Sequence, residues 1–136
     1  MNKLLQIILL LSLLIFTTCE DRERSNPVDP NADPDAWAPS NLQAEVINDS
    51  DIKRTWAQEE ERISGFRIGS KADSGSFSQI AEVEKDVREY TDIGLNYGTD
   101  YTYRVQAFTD DNESGYVTSN TTTMSIPTPT TLTATP

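Results

Sequence analysis

Histidine is absent from this sequence of 136 residues and cysteine occurs once, at Cys19, so most site chemistry is closed before any fold is considered. Without those side chains the common zinc, copper and haem ligand sets cannot be assembled. Neither can a Cys-His or Ser-His-Asp nucleophile, and no intrachain disulfide can form. Carboxylates remain. Glu59, Glu60 and Glu61 form the densest acidic run, and paired carboxylates hydrolyse glycosides when held about 5 to 9 Å apart across a cleft. Three neighbours in one turn are instead solvated charge, so no catalytic residue is assigned. Asp29, Asn31, Asp33 and Asp35 alternate as oxygen ligands do in calcium loops, but Pro34 stands where such a loop needs its glycine and no distal glutamate closes it. Asp110 to Gly115 resembles the front half of a calcium loop, with Thr121 in the glutamate's place. Both stretches read as plain loops, and neither a metal nor a cofactor is expected. Asn48, Asn112 and Asn120 begin glycosylation-type sequons. The formal net charge of −11 repels phosphate backbones and anionic headgroups, which argues against a nucleic-acid partner and against electrostatic membrane docking.

The thiol has a use at its own position. Lys3 precedes an almost wholly apolar stretch, Leu4 to Phe16, that is shorter than the roughly 20 residues a spanning helix needs, so residues 1–18 read as a signal peptide with a signal helix. Thr17 and Thr18 before Cys19 resemble a bacterial lipobox, whose commonest form has Gly or Ala where this chain has Thr18. That resemblance implies lipidation at Cys19, a membrane anchor made of acyl chains, and a place in the bacterial cell envelope, at the outer membrane or cell surface. The alternative is an ordinary secretory peptide with an incidental cysteine. Residues 19–37 carry Pro27, Pro30 and Pro34 among acidic and small residues, and read as a disordered acidic tether. Glu20 and Asp21 resemble the acidic export signal of some surface lipoproteins, diluted by Arg22 and Arg24.

From Ala38 the pattern turns to short alternating runs separated by polar turns, which predicts strands. Leu42, Ala44 and Val46 alternate in the first run, Ile52, Arg54 and Trp56 in the second, and Phe66 and Ile68 in the third. "SFSQIAEV" and "REYTDI" follow, then Tyr101, Tyr103, Val105 and Ala107 on one face of the sixth, and "GYVTSNTTT" last. Seven strands without helical spacing predict an all-β fold, a seven-stranded antiparallel immunoglobulin-like sandwich. Leu42, Trp56, Phe66, Ile68, Leu95, Tyr101, Tyr103 and Val105 are its expected core. Among the aromatics, Tyr97, Tyr116 and Phe77 are expected to face water and the others to pack inside.

"YTDIGLNYGTDYTYRVQA", Tyr90 to Ala107, resembles the E-to-F region of a fibronectin type III domain. Pro39 and Leu42, Trp56, and Gly65 with Phe66 agree with that family's first three strands, and the likeness spans Ala38 to Thr123. The resemblance implies that Tyr101 is a corner tyrosine, its hydroxyl bonded to the backbone near Leu95. Two positions depart from the pattern. Tyr97 replaces the usual proline, and Arg54 occupies an inward position where the family prefers an aliphatic residue. Arg54 is therefore expected to snorkel to the sandwich edge or pair with a carboxylate.

The expected organisation is a signal peptide over 1–18, a linker over 19–37, the sandwich over 38–124, and a tail over 125–136. "TPTTLTA", Thr128 to Ala134, repeats "APSNLQA", Ala38 to Ala44. The tail reads as the start of a second module in a longer tandem array, or else as a Pro/Thr tail. Two roles stay open. In one, the module is a noncatalytic spacer that lifts distal parts away from the envelope, as the family resemblance implies for bacterial surface proteins. In the other, exposed loops bind a protein or polysaccharide partner through Glu59, Glu60, Tyr97 and Tyr116.

Overall fold

A computed structural model of the chain describes residues 26–124, and Cys19, the signal stretch and the repeated tail lie outside the described residues. Seven strands run in order: β1 (Ser40–Val46), β2 (Ile52–Ala57), β3 (Gly65–Ala72), β4 (Ser78–Glu84), β5 (Glu89–Asp92), β6 (Asp100–Phe108) and β7 (Val117–Thr122). They form two antiparallel sheets, one ordered β1-β2-β5 and the other β4-β3-β6-β7. Along β1, β2 and β6 the side chains alternate, and the period of two sends one set of each strand to the core face. In β2 that set is Ile52, Arg54 and Trp56, and in β6 it is Tyr101, Tyr103, Val105 and Ala107. Stacked face to face, the two inner faces make one core.

Leu42, Trp56, Phe66, Ile68, Tyr101, Tyr103 and Val105 are buried there, and half-buried Leu95 packs against them. Trp56 meets Phe66 edge to face with ring centroids 5.4 Å apart, a geometry that adds to what burial alone contributes. The Tyr101 hydroxyl accepts a hydrogen bond from the Asn96 amide at 3.2 Å, next to Leu95. The loop from β5 to β6 is thereby fixed to the strand it enters. Phe108 departs from the expectation that it packs inside. It follows Ala107 in the alternation and so lies half-buried on the outer face, under the Arg67 guanidinium at 4.4 Å.

The chain before β1 also departs from expectation, because from Asn26 onward it is held rather than free. Asp33 caps a 3₁₀ turn, Pro34–Trp37, that buries Trp37, and Pro27 is fully buried. The Asn112 carboxamide donates to the Pro27 carbonyl at 2.9 Å, the Gly115 amide to the Pro34 carbonyl at 2.9 Å, and Gln58 to the Trp37 carbonyl at 3.1 Å. Gly115 permits this approach, since a Cβ there would lie 2.0 Å from Asp35 Oδ1. Prolines and acids lack the apolar area to pack by themselves. Here the backbone carbonyls, which composition does not reveal, supply the acceptors.

Candidate functional site

The four residues expected to form binding loops are not gathered at one place. Glu59 and Glu60 lie in the β2–β3 loop, and Glu60 is turned onto Arg62, accepting from its Nε and Nη2 at 2.7 Å each. That guanidinium holds the Glu60 carboxyl below its usual value. Tyr97 lies between β5 and β6, at the other end of the sandwich, where the Gly98 amide donates to the Met124 carbonyl. Tyr97 and Tyr116 are each half exposed. Tyr116 precedes β7, and its ring faces Arg104, not the β2–β3 loop. In the Asp110–Gly115 loop the side chains serve the backbone. Ser114 Oγ accepts from the Ala107 amide at 2.8 Å and donates to the Gly115 carbonyl, while Asn112 holds Pro27. Among the described residues, no group of three or more acidic or cysteine side chains is placed to hold a metal ion.

Arg54 does not snorkel, and among the described residues it forms no ion pair. It is fully buried between the sheets, with its guanidinium 3.3 Å from the centre of the Tyr103 ring and Nη1 donating to the Lys53 carbonyl at 3.0 Å. Its Nε and Nη2 have no partner among the described residues. Tyr103 in turn donates its hydroxyl to Asp92 Oδ2 at 2.8 Å. Burial pushes the Arg54 pKa down, against the counteracting pull of Tyr103 and Asp92. Burial, then the bond to Asp92, pushes the Tyr103 phenol up. Ring and carboxylate give the buried cation partial compensation at the inner face. With its cation fully buried between the sheets, this trio belongs to the core.

A second arginine lies on the opposite face of the β4-β3-β6-β7 sheet. Register places Arg67 beside Gln106 and Gly69 beside Arg104, all pointing outward. With no side chain at Gly69, the Arg104 stem lies across the sheet, and a Cβ there would meet Arg104 Nε at 3.1 Å. The Arg104 guanidinium then stands 4.4 Å from the Phe77 ring centre and 4.2 Å from that of Tyr116. Above Gly69 and Gln106 opens a cleft of about 120 Å³, walled by Arg67, Arg104, Glu113 and Tyr116. Arg67 is engaged by Glu82 at 2.9 Å and by Glu113. Among the described residues no carboxylate stands within ion-pair distance of Arg104. Gln106 is only 2% exposed, and its Oε1 lacks a hydrogen-bond partner among the described residues. Of these residues only Tyr116 was expected to matter. The alternation that sends Tyr103 and Val105 inward also sends Arg104 and Gln106 outward, and a mid-strand glycine such as Gly69 signals a close approach.

Residues 37–124 match the fibronectin type III domain family. The chain belongs to that family. Its fibronectin type III sandwich is similar to a computationally redesigned β-sandwich protein, at 20% identity and a TM-score of 0.61, covering 69% of this chain and 96% of that one. It is similar to the human collagen alpha-1(XX) fibronectin type III domain, at 19% identity and a TM-score of 0.59, covering 68% and 90%. It is also similar to the chicken CNTN1 FN1–FN3 domains, at 20% identity and a TM-score of 0.58, covering 63% of this chain and 31% of that one. Identities this low speak to the fold alone. No curated protein matches the chain by sequence. Fibronectin type III domains are typically noncatalytic scaffolds and general interaction or spacer modules.

Proposed function

We propose that this chain is a noncatalytic, envelope-anchored lipoprotein whose fibronectin type III domain is a strut. The domain connects an acylated Cys19 to whatever follows residue 124. One observation carries the strut reading: the chain enters at one end of the sandwich through a docked segment and leaves at the other. Entry is held through Pro27, Pro34 and Trp37 against the β2–β3 and β6–β7 loops. Exit lies beside the β5–β6 loop, where Thr123 Oγ1 donates to the Asn96 carbonyl at 2.7 Å. Exposed Ile47, Ile93, Tyr97 and Met124 belong to the turns and the strand end at that exit, an apolar surface that suits contact with a following module. The β6 strand has nine residues, so the two ends stand about 30 Å apart. A docked entry transmits orientation, which a free tether does not.

Spin labels at Val28 and Met124, both exposed, test the strut. A single narrow distance distribution is expected, broadened when Asn112→Ala removes the hold on Pro27. A broad distribution in the unsubstituted chain refutes it. The anchor has its own test: Cys19→Ala should leave the detergent phase, and a variant that partitions like the parent refutes lipidation.

A further inference from the structure

The Gly69–Gln106 cleft on the outer sheet face presents two unmet demands side by side. Among the described residues Arg104 is a cation without an anion, on a chain whose acidic residues outnumber its basic ones by 22 to 11. Its planar fork is held in place by Phe77 and Tyr116, so little side-chain freedom is lost when a ligand binds. Gln106 Oε1, buried and without a partner among the described residues, needs a hydrogen-bond donor. A ligand that satisfies both must carry a negative charge and a donor within a few ångströms of each other. An aspartate or glutamate of a peptide brings its carboxylate on a flexible side chain, two or three rotatable bonds from its own N–H donor, and loses that freedom on binding. A sugar acid brings a carboxylate and ring hydroxyls in one rigid unit, and the half-exposed Tyr116 ring offers a face beside it.

We propose that this cleft binds a uronate unit of an acidic polysaccharide, with Arg104 taking the carboxylate and Gln106 Oε1 accepting from a neighbouring hydroxyl. The cleft volume of about 120 Å³ admits the carboxylate and the carbons next to it, with the rest of the ring against Tyr116. Glu113 stays occupied with Arg67 at the rim, which leaves Arg104 as the receiving charge. The cleft shares the β6–β7 loop with the docked entry through Glu113 and Tyr116, but its two receiving groups, Arg104 and Gln106, lie within β6.

The test is titration of the full chain with trigalacturonate, followed by calorimetry and by the amide NMR shifts of Gly69 and Arg104. Saturable binding that shifts those amides is expected. The methyl-esterified trisaccharide should bind about tenfold more weakly or worse, since it loses the guanidinium–carboxylate pair. Arg104→Gln should lose about tenfold in affinity, Arg104→Lys somewhat less, and Gln106→Leu several-fold. A short polyglutamate peptide should leave the two amides unmoved. Equal binding of the ester, stronger binding of polyglutamate, shifts confined to the ends of the sandwich, or no saturation at about 10 mM each overturn the proposal.

Discussion

Arg54 and Arg104 make the same contact with an aromatic ring and have opposite fates. One guanidinium stands 3.3 Å from the Tyr103 centre with no exposed surface, and the other stands 4.2 Å from the Tyr116 centre beside an open cleft. Solvent decides the difference. Between the sheets the cation must be compensated by the protein itself, so Tyr103 and, behind it, Asp92 are committed to it. On the outer face water does that work until a ligand replaces it. A stacked arginine is thus a structural element when buried and a receptive one when exposed; the alternation tells the face, but not the ring that each guanidinium meets.

The largest effect should come from breaking the inner arrangement at its anion. Asp92→Ala leaves the Tyr103 hydroxyl unpaired and removes the carboxylate nearest a buried cation, so a loss of about 3 kcal/mol in urea denaturation is expected. A loss below about 1 kcal/mol would show that Arg54 is compensated elsewhere. Replacing the cation is different. Arg54→Met fills similar volume and eliminates two unpartnered N–H groups, and should stabilise the domain by about 1 to 2 kcal/mol. Destabilisation would mean that the Tyr103 stack contributes more than the burial costs.

The strands and their inward faces were legible because a period of two is written locally, as in Tyr101, Tyr103 and Val105. The corner tyrosine was legible through its resemblance to a family pattern, and its bond to Asn96 is where that pattern implies. Arg54 was placed on the correct face, yet its surroundings were not legible, because Tyr103 and Asp92 reach it from other strands. The hold on residues 26–37 escaped notice because its acceptors are main-chain carbonyls. The outer cleft escaped for a geometric reason. Phe77, Arg104 and Tyr116 converge only once β3, β4, β6 and β7 are in register.

A third effect sharpens the contrast through pH. The folded state raises the Tyr103 phenol above its ordinary value, so it keeps that proton where the unfolded chain gives it up. Stability from this group is therefore complete below the unfolded value of about 10 and falls as pH rises beyond it. The fall is at most about 1.4 kcal/mol per pH unit for one phenol. Denaturation midpoints measured through the alkaline range should decline, and Tyr103→Phe should flatten that decline although it lowers stability at neutral pH. An unchanged slope in the variant would assign the effect to the other tyrosines.

The smallest effect belongs to the outer arginine. Arg104→Ala frees the Phe77 and Tyr116 rings but leaves no buried partner unmet, since no carboxylate among the described residues pairs with it. Loss of an exposed stack should cost about 0.5 kcal/mol in the same denaturation experiment. A cost near that of Asp92→Ala would make Arg104 a structural residue like Arg54, and its rigid seat would then be explained by the fold alone. A small cost combined with lost uronate affinity is the result that separates holding a sheet together from presenting a charge.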